Sequence, residues 1–135
     1  MNVQFTDNSK EVLAAMEEAA LRALEKCSLT AEGYAKKLCP VDTGNLRNSI
    51  THAVDDGDEK AAYVGTNSEY GPYVELGTGK YAEGGGGRPT PWVYQDAQGN
   101  WHRTEGNKPQ PFIKPAVADH AKQYRDIIES ELKNG

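Results

Sequence analysis

Cys39-Pro40-Val41-Asp42-Thr43-Gly44-Asn45-Leu46-Arg47-Asn48-Ser49-Ile50 is where the chain changes its hydrophobic period, and that change decides the fold. Upstream, Leu13, Met16, Ala20, Ala23, Leu24, Cys27, Ala31, Tyr34, Ala35 and Leu38 recur three and four residues apart. Glu17, Glu18, Arg22, Glu25, Lys26, Glu32 and Lys36 fill the other side, which predicts one long amphipathic helix. Asn8 or Ser9 caps its start with Glu11 in the first turn. Gly33 is a weak point, and Ser28 to Thr30 leaves room for a break. Pro40 stops the helix, because a residue before proline is pushed out of helical backbone. Asp42 or Thr43 then caps a short helical turn over Gly44 to Arg47, anchored by Leu46. Beyond it Ile50, His52 and Val54 alternate with Ser49, Thr51 and Ala53, the period of a strand.

Asp55-Asp56-Gly57-Asp58 reads as a turn, and Ala62, Val64 and Thr66 alternate with Tyr63 and Gly65 to make the return strand of an antiparallel hairpin. In Tyr70-Gly71-Pro72-Tyr73-Val74-Glu75-Leu76-Gly77-Thr78-Gly79, Pro72 suits the first position of a short helix and Gly77 ends it. Tyr73 and Leu76 share one face of that turn. Residues 77–91 have no period and include the run Gly84 to Gly87, which loses about 1–2 kcal/mol of backbone entropy per residue on ordering. A loop of this length is expected to be flexible and functional. Trp92 to Tyr94 and Trp101 to Arg103 flank the turn signal Gly99-Asn100, a second candidate hairpin. After Gln110-Pro111-Phe112-Ile113-Lys114-Pro115-Ala116-Val117, Pro115 opens a last helix carrying Val117, Ala121, Tyr124, Ile127, Ile128 and Leu132. The expected fold is a single α+β domain over residues 1–135. A small antiparallel sheet is packed by a long N-terminal and a C-terminal helix, with a glycine-rich loop.

Composition narrows the function classes. The 135-residue chain is hydrophilic, with mean hydropathy −0.74 and only 8% aromatic residues, so much of it must be surface or an interface that closes in a complex. The net charge is −5 and no cluster of Lys and Arg exists to neutralise phosphates, which argues against wrapping of nucleic acid. Cys27 and Cys39, if on one helix, lie about 18 Å apart along its axis. That is too far for a disulfide, so both are expected to be free thiols in a reducing compartment. No basic and apolar leader and no membrane span is legible, which predicts a soluble chain made in the cytosol.

No catalytic constellation is concentrated in one place. Gly77-Thr78-Gly79-Lys80 resembles a phosphate loop but has Val74 and Tyr81 where the motif needs glycine and a hydroxyl. Asp55, Asp56 and Asp58 lack the spaced oxygens and closing Glu of a calcium loop and fit a solvated turn. His52, His102 and His120 are scattered, without zinc-helix spacing, and no metal or cofactor is implied. Glu75, between Val74 and Leu76, is either exposed or paired with a basic residue such as Arg47, Arg88 or one on a neighbouring subunit. Trp92, Tyr94 and Trp101 form the one dense aromatic patch, suited either to a hairpin base or to an interface.

Taken together, Pro40 to Ile50, the hairpin leading to Tyr73 to Thr78, the glycine-rich loop and Gln110 to Ala116 resemble the tail-completion, or tail-component, family of long-tailed bacteriophages. The resemblance runs from about Ala31 to Leu132. Leu76 stands where the family has Phe, and residues 94–107 are less family-like. The resemblance implies a non-enzymatic virion neck protein, made in the bacterial host cytoplasm. It would form a homo-oligomeric, hexameric ring that joins the tail tube protein to the head-completion or connector proteins. DNA would pass through the lumen without specific binding, repelled by like charge, and no membrane would be involved. The expected interface residues are Tyr70, Tyr73, Glu75, Gly77, Gly79, Tyr81, Arg88, Trp92 and Trp101. Pro40, Asp42, Thr43, Gly44, Leu46, Pro111, Phe112 and Pro115 form the structural motif. The rival readings are a small metal-dependent phage or prophage hydrolase, marked by convergence of Asp42, His52, Asp55, Glu75 or His102, and a monomeric protein-binding module using the Trp92/Trp101 hairpin.

Overall fold

The computed structural model describes residues 6–40, 44–69 and 71–134. Its axis is helix α1, Ser9–Leu38, 30 residues or about 45 Å long. Asn8 is the N-cap residue, its carbonyl accepting the Val12 N–H, but its side chain makes no capping bond; the Asp7 carboxylate instead accepts the Ser9 backbone N–H at 3.0 Å. No break occurs at Ser28 to Thr30. Both hydroxyls bond back along the helix, Ser28 to the Glu25 carbonyl and Thr30 to the Lys26 carbonyl, which is compatible with continued turns.

The buried face of α1 is a spine of small side chains four residues apart: Ala19, Ala23, Cys27, Ala31 and Ala35, continued by Cys39 past the helix end. Small residues in an i±4 row let neighbouring elements approach closely. Three do so: α5 (Ala121–Asn134), α4 (Ile113–Ala118) and the hairpin of β1 (Ile50–Asp55) with β2 (Ala61–Thr66). The strands pair antiparallel from Ile50↔Thr66 to Asp55↔Ala61, with the inward alternation expected of β1. Short helix α2, Asn45–Asn48, places Leu46 beneath them. The core gathers Ala35, Cys39, Leu46, Ile50, Phe112 and Ala116, with Tyr34, Val64, Val74 and Ile113 around it. It therefore sits at the C-terminal end of α1.

Three expectations need correction. The last helix is two helices, broken at Asp119 and His120. His120 lies flat on the Tyr34 ring with centroids 3.6 Å apart, and the Tyr124 hydroxyl donates back to the Ala116 carbonyl, so a bend between α4 and α5 is held from both sides. The strands form two separate two-stranded sheets rather than one, because β3 (Trp92–Gln95) pairs only with β4 (Trp101–Thr104). Finally, Leu13, Met16 and Leu38 are exposed. For Leu13 and Met16 the cause is the length of α5. It runs antiparallel to α1, with Gln123 beside Tyr34 and Glu131 paired to Arg22 and Lys26. It ends about three residues later, so the first ten residues of α1 extend past it.

Candidate assembly surface

Helix α3, Gly71–Leu76, leaves the core and begins an arm that returns at Gln110. The base of the arm is a short antiparallel ladder: Gln110 N–H donates to the Val74 carbonyl, Thr78 N–H to Asn107 and Lys80 N–H to Glu105, at 2.8–3.1 Å. Asn107 N–H also donates to the Thr78 hydroxyl. The two strands meet backbone to backbone. A Cβ built on Gly79 would stand 2.1 Å from the Glu105 carbonyl oxygen, and one on Gly106 2.0 Å from that of Thr78. Both residues also have positive φ, so only glycine fits. Gly84, Gly85 and Gly86 in the glycine run contact nothing within 4 Å of such a Cβ. Gly77 and Gly79, expected as adaptable interface positions, are thus buried packing positions of the stem.

Glu75 is neither exposed nor paired with Arg47 or Arg88. Its carboxylate accepts three backbone N–H groups, from Phe112 and Ile113 at 2.7 and 3.0 Å and from Lys114 at 2.9 Å. These are the donors that the first turn of α4 leaves unsatisfied. A negative charge at a helix start adds favourable dipole interaction. Glu75 therefore caps α4 from a different element and ties the arm's root to the core beside Phe112. Sequence reasoning missed this because a cap supplied across 37 residues has no local signature.

Of the expected interface residues, Tyr73, Gly77, Gly79, Arg88 and Trp92 line one cleft of about 420 Å³, together with Leu76. Arg88 lies over the Trp92 ring at 5.8 Å. Tyr81 stands between two cations, Lys80 at 5.2 Å and Lys108 at 5.9 Å from its ring. Lys80 also pairs with Glu105 at 2.7 Å, which holds that carboxyl below the usual range. Trp101 is apart from this cleft, 69% exposed near the hairpin tip. Tyr70, Asp42 and Thr43 lie outside the described residues. Of the structural motif, Leu46 and Phe112 are core, and Gly44 takes a left-handed conformation ahead of α2. Pro40 follows the buried Cys39, Pro111 is exposed, and Pro115 sits in the first turn of α4.

The described residues that would mark a hydrolase are held by different partners. His52 Nε2 is 2.7 Å from Glu25 on α1, and its enclosed Nδ1 lies 3.4 Å from Glu32, outside good hydrogen-bond geometry. The bond to Glu25 raises the imidazole above its ordinary value of 6.5, against the opposing effect of burial. Asp55 accepts the Gly57 N–H in the β1–β2 turn, while His102 binds Asp96 at 2.8 Å in the distal hairpin. Among the described residues no group of three or more His, Cys, Asp or Glu is arranged to hold a metal ion. Cys27 and Cys39 are free and buried, and burial pushes both thiols up. No helix of the described residues is long and apolar enough to cross a membrane.

What this geometry defines is an α+β body with a projecting, stapled arm, whose most distinctive surface is apolar and aromatic. The chain belongs to the HK97-gp10-like family of bacteriophage tail components, described as "Bacteriophage HK97-gp10, putative tail-component", whose model matches residues 4–77. The match covers α1 through α3 and stops at the arm's first stem residue; Gln110 to Ala116 lies outside it. No curated protein and no solved structure gives a significant match.

Proposed function

We propose that this tail component acts as a tail-completion protein: copies close into a ring, hexameric by the family resemblance, at the head-proximal end of the tail tube. The observation that carries this reading is the detached hairpin β3–β4, joined to no other strand among the described residues, with Val93 63% and Trp101 69% exposed. A lone two-stranded hairpin is marginal in water. Packing against a neighbour supplies what this one lacks. Tyr73 and Leu76, also exposed, offer a second apolar surface at the arm's root.

In this reading subunits associate head to tail, the arrangement that closes into rings. The segment around Gly84 to Gly86, where an added Cβ would meet nothing within 4 Å, is mobile in the free subunit and orders against a neighbour or against the tail tube or head-completion proteins. The net charge of −5 keeps transiting DNA from adhering to the lumen. Light scattering on the protein alone and mixed with purified tail tubes tests the reading. A defined multimer, or co-sedimentation with tubes, is expected. A chain that stays monomeric in both conditions refutes it, and a monomer that nevertheless binds one partner protein one-to-one favours the binding-module reading suggested by exposed Trp101.

A further inference from the structure

Among the described residues two exposed faces carry large apolar side chains without a cover, one near the start of α1 and one on the β3–β4 hairpin. The first is the overhang of α1 beyond α5, where Val12, Leu13 and Met16 prolong the stripe that the spine Ala19, Ala23 and Cys27 buries further along. Leu13 is 60% exposed. The second is one face of the β3–β4 hairpin. The register Val93↔Arg103 and Gln95↔Trp101 puts these four side chains on the same side, away from the stacked Tyr94 and His102. The arm roots beside Phe112 and Ala35, at the C-terminal end of α1, and the overhang residues Met16, Leu13 and Val12 lie about 28–35 Å away along the helix.

We propose that the hairpin face of one copy docks on the α1 overhang of the next copy. This inference rests on the self-association proposed above and names its contact. Charge complementarity selects the occupant. Around the overhang Asp7, Glu11, Glu17 and Glu18 stand against the single cation Lys10, while Arg103 is the one charged residue on the hairpin face. An amphipathic helix laid against an apolar platform is a recurrent docking mode, here with Val12, Leu13 and Met16 as anchors. Because the two faces differ, the contact is heterologous: each copy keeps one face free after pairing, so growth continues until the ring closes.

The test uses two full-length variants, Leu13→Asp with Met16→Asp, and Val93→Asp with Trp101→Asp. All four sites are exposed, and circular dichroism checks that each variant retains the helix content of the parent. Each variant alone is expected to self-associate at least tenfold more weakly than the parent. Mixed, the intact hairpin of one and the intact overhang of the other should give one-to-one dimers and nothing larger by light scattering. If both variants assemble like the parent, or if the mixture stays monomeric while the parent forms rings, the contact is wrong and the ring reading stands. If the hairpin variant assembles normally and loses only tail-tube binding, that face belongs to the tube protein and the contact is again wrong. A parent that is monomeric alone and with tubes overturns both proposals.

Discussion

A built Cβ at Gly79 or Gly106 would penetrate the opposing backbone, whereas one at Gly86, whose φ is negative, would meet nothing. Chemically identical residues in one arm therefore differ in consequence. Gly79→Ala or Gly106→Ala should cost about 2–3 kcal/mol, from strain plus lost stem pairing. Gly86→Ala should be neutral or stabilise by up to about 1 kcal/mol. Denaturant melts of the three variants check the contrast. Glu75 makes a similar distinction among carboxylates. Glu75→Gln keeps an acceptor but loses the charge and should cost about 1–2 kcal/mol; Glu75→Ala strands three donors and should cost about 3 kcal/mol. A Glu75→Ala variant with an unchanged midpoint would show that the cap contributes nothing. Glycine content was legible in the sequence, but whether a glycine serves freedom or closeness was not, because that depends on the strand 27 residues away.

At the scale of elements, α1 and the β1–β2 hairpin were readable because their periods are long and uninterrupted, and Pro40 marks the boundary between them. The break between α4 and α5 was not. Asp119-His120 carries no Gly or Pro, and the bend depends on ring stacking with Tyr34 on a distant helix. A Cβ on exposed Gly33 in α1 would meet nothing within 4 Å, so Gly33→Ala should raise stability by about 0.5–1 kcal/mol in a thermal melt. The seam between α1 and β1 should respond to pH through His52. Its folded value is raised above 6.5, chiefly by Glu25, so the charged imidazole contributes fully below about pH 6.5 and its contribution fades as pH climbs through the raised value. His52 is only 20% exposed but Glu25 is 56% exposed, which limits the effect to about 0.5–1 kcal/mol. The stability difference between the parent and His52→Gln should accordingly be larger at pH 5.5 than at pH 8.5. A difference that grows toward high pH would contradict this assignment.

For the whole molecule, the body is stabilised by a modest core at one end of α1, and the exposed apolar groups lie beyond it. The α+β class was legible in the sequence; that Trp101 stands on the hairpin face opposite Trp92 and Tyr94 was not, because it follows from the pairing Gln95↔Trp101. Nor could the sequence reveal that Leu13 and Met16 lie past the end of α5, since where a covering helix stops is a tertiary fact. Deleting Gly84 to Gly86 should leave the melting midpoint within about 2 °C of the parent, because Gly85 bonds locally, to the Ala82 carbonyl, and a Cβ at any of the three would meet nothing within 4 Å, while impairing ring or tube binding if the segment serves there. The ladder at Thr78 and Asn107 has one more consequence. It brings entry and exit of some thirty residues within a single hydrogen bond of each other, so everything beyond it is a cassette with adjacent ends. Replacing that cassette with a tight turn should leave a folded remainder, and under the assembly role proposed above, exchanging it between related tails should carry the choice of mate with it and leave the scaffold unchanged.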